Sequence, residues 1–171
     1  MKKQPGILIA LFFAVATITG VYAQSSGSFG FEASFGSIKS QSHTNLSEDD
    51  ILASIQKKFR KQFTDVKRES WTKTNNGYAI RFNTGTIDYL VFYDAKANII
   101  GQVRYYKPTN LPNDIRFQVE SAYFNYDILS VQEVTVEKTI TYLVAIEARN
   151  EWKIIRVSAA GMDVYKEYRK G

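Results

Sequence analysis

The chain has 171 residues, 22 Lys and Arg against 17 Asp and Glu, a single His and no Cys, for a formal charge of +5. Without Cys there is no disulfide framework, no Cys-based zinc site and no thiol nucleophile. Charges of both signs are interspersed, so there is no basic stripe of the kind nucleic-acid binding requires.

Residues 1–23 read as a cleaved secretory signal. Lys2 and Lys3 form a positive start, Ile7 to Thr19 is largely apolar, and Val21-Tyr22-Ala23 places small residues before Gln24. The apolar run falls short of the roughly 20 residues a membrane span needs, and no basic stop-transfer flank follows. The mature protein is therefore expected to begin near Gln24, free in a periplasm or outside the cell, with no stable membrane anchor. Loss of Lys2 and Lys3 with the signal lowers the charge from +5 to +3.

Residues 24–46 are rich in Ser and Gly with isolated Phe and read as a flexible linker. Their glycines neither follow a strand nor open a helix, so no phosphate-cradling loop is expected. The only His, His43, lies in this segment.

Thr44-Asn45-Leu46 recurs as Thr109-Asn110-Leu111, and each copy leads into Asp-Ile, at Asp50-Ile51 and Asp114-Ile115. A period of about 64 residues implies a duplicated unit, with repeat one at 47–108 and repeat two at 109–171, in a single domain over 47–171.

In repeat one, Ser47 caps a helix whose first turn holds Glu48, Asp49 and Asp50, with Leu46 and Ile51 placed as a hydrophobic staple. Ile51, Leu52, Ile55, Phe59 and Phe63 line its inner face, and Lys57, Lys58, Arg60 and Lys61 form a solvated basic end. The period then changes to two. Strands are expected at 66–74, 78–82, 87–93 and 99–106, with turns at Asn75-Asn76-Gly77, at Thr84-Gly85 and before Asn98, which suits a positive φ.

Repeat two follows the same plan. Pro112 is placed for a first helical turn, and Ile115, Val119, Ala122, Tyr123 and Tyr126 form the apolar face. Strands follow near 128–137, 139–147, 151–158 and 162–169, with Gly161 in the last turn. Tyr142, Val144 and Ile146 echo Tyr78, Ile80 and Phe82. The expected fold is α+β: two helix-plus-four-strand antiparallel meanders in one sheet of up to eight strands, helices on one face.

Leu111-Pro112-Asn113-Asp114-Ile115, Tyr123-Phe124, Tyr126, Ile128, Thr141-Tyr142-Leu143-Val144 and the strand after Gly161 resemble the PepSY-like, β-lactamase-inhibitor-like secreted bacterial proteins. Repeat one is similar through Phe59, Phe63, Trp71, Tyr78, Phe82 and Tyr93-Asp94, but has Leu46-Ser47 for Leu-Pro and Asn98 for the usual Gly. The resemblance spans about 44–171 and implies a tandem architecture whose curved sheet holds a partner protein.

Enzymatic chemistry finds no support, because His43 stands alone and Asp88, Asp94, Glu147, Glu151 and Asp163 fall at strand ends and turns where solvated acids belong. No cofactor and no metal is expected. The chain reads as a non-enzymatic binding module that inhibits or modulates a protein of the cell envelope, or one outside the cell, through the open face of its sheet; no nucleic-acid partner is expected. The 11 Tyr, 11 Phe and 2 Trp supply interface-forming side chains. Candidate contact residues are Arg81, Tyr89, Tyr93, Arg104 and Tyr106, with Arg81, Arg104 and Tyr106 expected on the open side and Trp71 in a structural role. The alternative is a small-ligand carrier with a cavity between helices and sheet.

Overall fold

The computed structural model describes residues 47–169; the expected signal and linker, His43 and Leu46 lie outside them. Helix α1 spans Glu48–Gln62 and is followed by β1 (Lys67–Thr74), β2 (Gly77–Asn83), β3 (Ile87–Asp94) and β4 (Ile99–Tyr106). A short 3₁₀ turn at Pro108–Asn110 leads to α2 (Asn113–Ala122), β5 (Asp127–Val136), β6 (Thr139–Glu147), β7 (Glu151–Ser158) and β8 (Gly161–Arg169). All eight strands pair in sequence order into one antiparallel sheet.

The register shows that both helices lie on the same face. Phe82, Tyr89, Arg104, Glu133, Tyr142, Val157 and Met162 form one continuous cross-strand row. Its β2 and β3 end packs in the core under α1, with Ile55, Phe59, Ile80 and Val91. Its β6 to β8 end packs under α2, with Ile115, Val119, Val144 and Ile155. Because side chains in one row share a face, one side of the sheet carries both helices. The repeat is legible in space: Tyr78, Ile80 and Phe82 face α1 as Tyr142, Val144 and Ile146 face α2.

Local chemistry accounts for the elements. Ser47 Oγ accepts from the Asp50 amide at 3.2 Å and donates to the Asp50 carboxylate at 2.6 Å, closing the first turn of α1. Pro112 precedes α2 as its cap rather than sitting in its first turn, and its carbonyl accepts from the Arg116 amide at 2.9 Å. Ala122, expected on the apolar face, is exposed. Gly77 has φ +148°, and a Cβ there would collide with the Tyr93 carbonyl across the β2–β3 pair.

In the β3–β4 turn the residue with positive φ is Ala97, at 59°, and not Asn98. The Asp94 carboxylate takes the Asn98 amide at 2.7 Å and the Asn98 side chain at 3.1 Å, so Asn98 serves as a tether while Ala97 bends the chain. The turn leaves a bulge at Ile100: Tyr93 pairs with Ile99, but Phe92 pairs with Gly101. One extra residue reverses which side chains of β4 point to which face. Everything from Gly101 to Tyr106 is set by that reversal.

Candidate functional site: the helix-free face of the sheet

The bulge at Ile100 decides where the expected site residues fall. With the alternation reversed, Gln102, Arg104 and Tyr106 face the helices, and Gly101, Val103 and Tyr105 face away. The placement of Arg104 and Tyr106 on the open side is thereby corrected. Tyr106 is in the core under α2. Tyr89 and Tyr93 share a face, which is the helix-bearing one; Tyr93 is buried beside α1 and its hydroxyl lies 3.4 Å from Gln62 Oε1. Arg81 alone of the five stands on the helix-free side, in a row with Leu90, Val103 and Val134.

The structure brings three of the five together on the helix side. Arg104 lies over the rings of Tyr89 and Tyr106, 5.8 and 5.4 Å from their centroids, and ion-pairs with Glu133. The Tyr106 hydroxyl donates to the same carboxylate at 2.8 Å. Burial first, then the neighbouring Glu133, pushes the Tyr106 hydroxyl up. This cluster sits on the β4–β5 pair, where the two repeats join; Arg104 Nη1, the Glu133 carboxylate and the Tyr106 hydroxyl engage one another, while Arg104 Nε is buried without a hydrogen-bond partner among the described residues.

The helix-free face is built differently. Leu90, Val103 and Val134 form a buried apolar row across β3, β4 and β5, joined by Ala79, Phe92, Tyr105 and Val136. Tyr105 stands opposite Gln132 on β5, and the row continues into Leu143 and Arg156. Two hydrogen-bonding atoms in this row, the Tyr105 hydroxyl and Gln132 Nε2, are buried and have no hydrogen-bond partner among the described residues. An unmet buried polar atom costs roughly 1–3 kcal/mol, so a group that supplied the missing hydrogen bonds would be favoured here. Burial raises the Tyr105 hydroxyl, and the Arg81 guanidinium nearby opposes the rise. Farther along, Arg156 is held by Asp163 at 2.8 Å and lies over the Tyr165 ring, and Trp152 stacks on Tyr168 with ring centroids 3.8 Å apart.

Both sheet edges are guarded. The outer strand β1 carries a bulge between Lys67 and Ser70, with Arg68 at φ 53° and mostly exposed, charged or polar side chains. The other edge, β8, is interrupted by a bulge at Tyr165. Bulges and charges at an edge discourage strand addition, which leaves the helix-free face as the broad candidate surface among the described residues.

The carrier alternative places a cavity between helix and sheet. Under α1 that space holds Phe59, in ring contact with Phe63, Trp71 and Phe82 at 5.4, 5.2 and 5.1 Å. Trp71 is part of this core, as its structural reading requires.

Alternation from Tyr89 inward places Leu90 and Phe92 outward, so half of the helix-free face is readable in β3. The outward placement of Tyr105 and Gln132 is not, because it is set by bulges, at Ile100 in β4 and at Leu129 in β5.

No protein-family model matches this chain, and no curated protein matches it. Its fold is similar to that of solved structures. A DUF2874 family protein from Bacteroides uniformis is 16% identical with a TM-score of 0.51, over 68% of this chain and 88% of that one. A BLIP-like protein from Bacteroides fragilis is 20% identical with a TM-score of 0.50, over 68% and 84%. A Bacteroides eggerthii protein with a provisional periplasmic assignment is 12% identical with a TM-score of 0.51, over 68% and 86%. At these identities the likeness shows the fold alone, and this chain's α+β architecture with one eight-stranded sheet is similar to that of a BLIP-like structure. The PepSY element of the expectation rests on sequence motifs alone.

Proposed function

We propose that this chain of BLIP-like fold is an exported, non-enzymatic module that binds a protein of the cell envelope on the helix-free face of its sheet. The observation that carries the reading is the unmet hydrogen-bonding pair Tyr105 and Gln132, set within the apolar side chains of that face. A protein surface docked on this face covers the half-buried Ala79, Phe92, Tyr105 and Val136 around the buried row and, as those side chains shift against it, offers acceptors to the Tyr105 hydroxyl and Gln132 Nε2. Arg81, beside Tyr105, adds a charged contact at the margin. Export is supported by the signal pattern ending at Ala23 and by the periplasmic assignment of one similar structure. Among the described residues no helix is long and apolar enough to cross a membrane.

The test uses exported protein, whose N-terminus is expected at or near Gln24, as bait against its native envelope fraction. Arg81→Glu combined with Tyr105→Phe is expected to abolish capture of the partner while keeping the thermal midpoint no lower than the native protein's, because neither side chain supports the helix-facing core and the hydroxyl removed is an unmet one. Undiminished capture by this stable variant overturns the reading.

A further inference from the structure

Helix α2 buries one side and exposes a large aromatic ring on the other. Ile115 and Val119 point into the core, as an amphipathic helix requires. On the opposite stripe Phe117 is 72% exposed, and Phe124, seven residues on and just past the helix end, is 82% exposed. Tyr123 ends the helix and Phe124 lies in the turn that follows, so the two exposed rings are separated by the last turn of α2 and its cap.

The duplication supplies an internal control. At the 64-residue offset, Phe117 corresponds to Ala53 and Phe124 to Arg60, and the outer side of α1 is the solvated, charged surface expected of it. Repeat two thus departs from its own template by exposing two aromatic rings where repeat one has a methyl group and a guanidinium. Solubility does not explain that exchange.

The surrounding charge identifies the occupant. Between Asn113 and Ser130 there are three acids, Asp114, Glu120 and Asp127, and one base, Arg116, which leaves −2; Arg116 is itself engaged by the Pro108 carbonyl and by Glu120. An acidic rim repels an anionic lipid surface. It also opposes a symmetric pairing of two α2 helices, which would set acid against acid. We propose that the outer side of α2 is a second docking surface, for a basic amphipathic segment of a partner protein whose apolar stripe covers Phe117 and Phe124 and whose Lys or Arg side chains meet Glu120 and Asp127. This surface lies on the helix side of the sheet and is independent of the helix-free face.

The test uses exported protein and a fluorescently labelled amphipathic Leu/Lys peptide, with a Leu/Glu peptide of the same pattern as its control. The Leu/Lys peptide is expected to bind at least tenfold more tightly to the native protein than to Phe117→Ser/Phe124→Ser, and the Leu/Glu peptide not to bind. Glu120→Lys is expected to weaken the Leu/Lys complex likewise, whereas Arg81→Glu/Tyr105→Phe leaves it intact and so separates this surface from the one proposed above. Unfolding midpoints of the Phe variant should match the native protein, since both rings are outside the core. Equal peptide binding by native protein and Phe variant overturns the proposal. So does preferential binding of the native protein to anionic phosphatidylglycerol vesicles. Concentration-dependent self-association in sedimentation, abolished in the same variant, would assign the patch to a second copy and overturn it as well.

Discussion

Arg104 on β4 donates through Nη1 to both carboxylate oxygens of Glu133 on β5, at 2.9 and 3.1 Å, and these two residues stand directly opposite each other on the strand pair that joins the repeats. Glu133 is the only charged residue among the buried ones described, with 6% of its surface exposed. The pair makes the junction specific as well as hydrogen-bonded, since a register slip along β4–β5 would separate it.

Removal of Arg104 should therefore cost more than an exposed ion pair is worth. Arg104→Ala leaves the Glu133 carboxylate with the Tyr106 hydroxyl alone and is expected to destabilise by about 2–4 kcal/mol, below the full cost of breaking a buried pair because Arg104 retains some solvent contact. Arg104→Met with Glu133→Leu should recover most of the loss. Urea unfolding of the three proteins checks this; a single variant within half a kcal/mol of native would show the pair to be dispensable.

High pH should unfold the protein through its buried tyrosines. Burial pushes the Tyr93 hydroxyl up to about 12, and Tyr106 is also raised, by burial and then by Glu133. In the unfolded chain both ionise near 10. Their contribution is thus complete below about pH 10 and is lost as pH rises from there through about 12, because only the unfolded state has released the protons. Absorbance at 295 nm should show a cooperative tyrosinate step coincident with loss of circular dichroism. Smooth titration of every tyrosine without unfolding would contradict it.

The two repeats should melt as one. Phe59 is fully buried among Phe63, Trp71 and Phe82, whereas Phe63 is partly exposed. Phe59→Ala is expected to cost about 3–5 kcal/mol and Phe63→Ala less. Since β4 and β5 pair within the same sheet, Phe59→Ala should lower the midpoint for both repeats, and residues 109–171 alone should stay unfolded. Two resolved denaturant transitions, or a cooperatively folded second half, would show independent units.

The β5–β6 turn offers a stabilising change. Glu137 and Lys138 take φ of 48° and 71°, a conformation that side chains with a Cβ resist and that Asn-Gly adopts readily. Glu137→Asn with Lys138→Gly is expected to raise stability by about 1–2 kcal/mol, measured as a higher urea midpoint at unchanged slope. A lower midpoint would mean that Glu137 or Lys138 makes a compensating contact.

Element order was legible because local signals agree with the global fold. Ser47 with its three acids marks the start of α1, Gly77 and Gly161 mark turns, and the alternation of Tyr78, Ile80 and Phe82, repeated at Tyr142, Val144 and Ile146, identifies the side of the sheet that meets a helix. These are properties of a few neighbouring residues, and a duplicated sequence states them twice. The face of β4 was not legible. Arg104 and Tyr106 were expected outward on unbroken alternation, and the bulge at Ile100 turns them inward.

That difference has one physical source. Composition, capping, turn chemistry and periodicity act within a few residues, so the sequence by itself determined two helices, eight strands, their order and the duplication. A bulge costs little locally and is selected by packing on both sides of the sheet: it buries Tyr106 under α2 and pairs Arg104 with Glu133, 29 residues away. Only the tertiary structure could decide, therefore, that the polar cluster of Tyr89, Arg104 and Tyr106 is a joint between repeats, and that Tyr105 and Gln132 fall on the helix-free face.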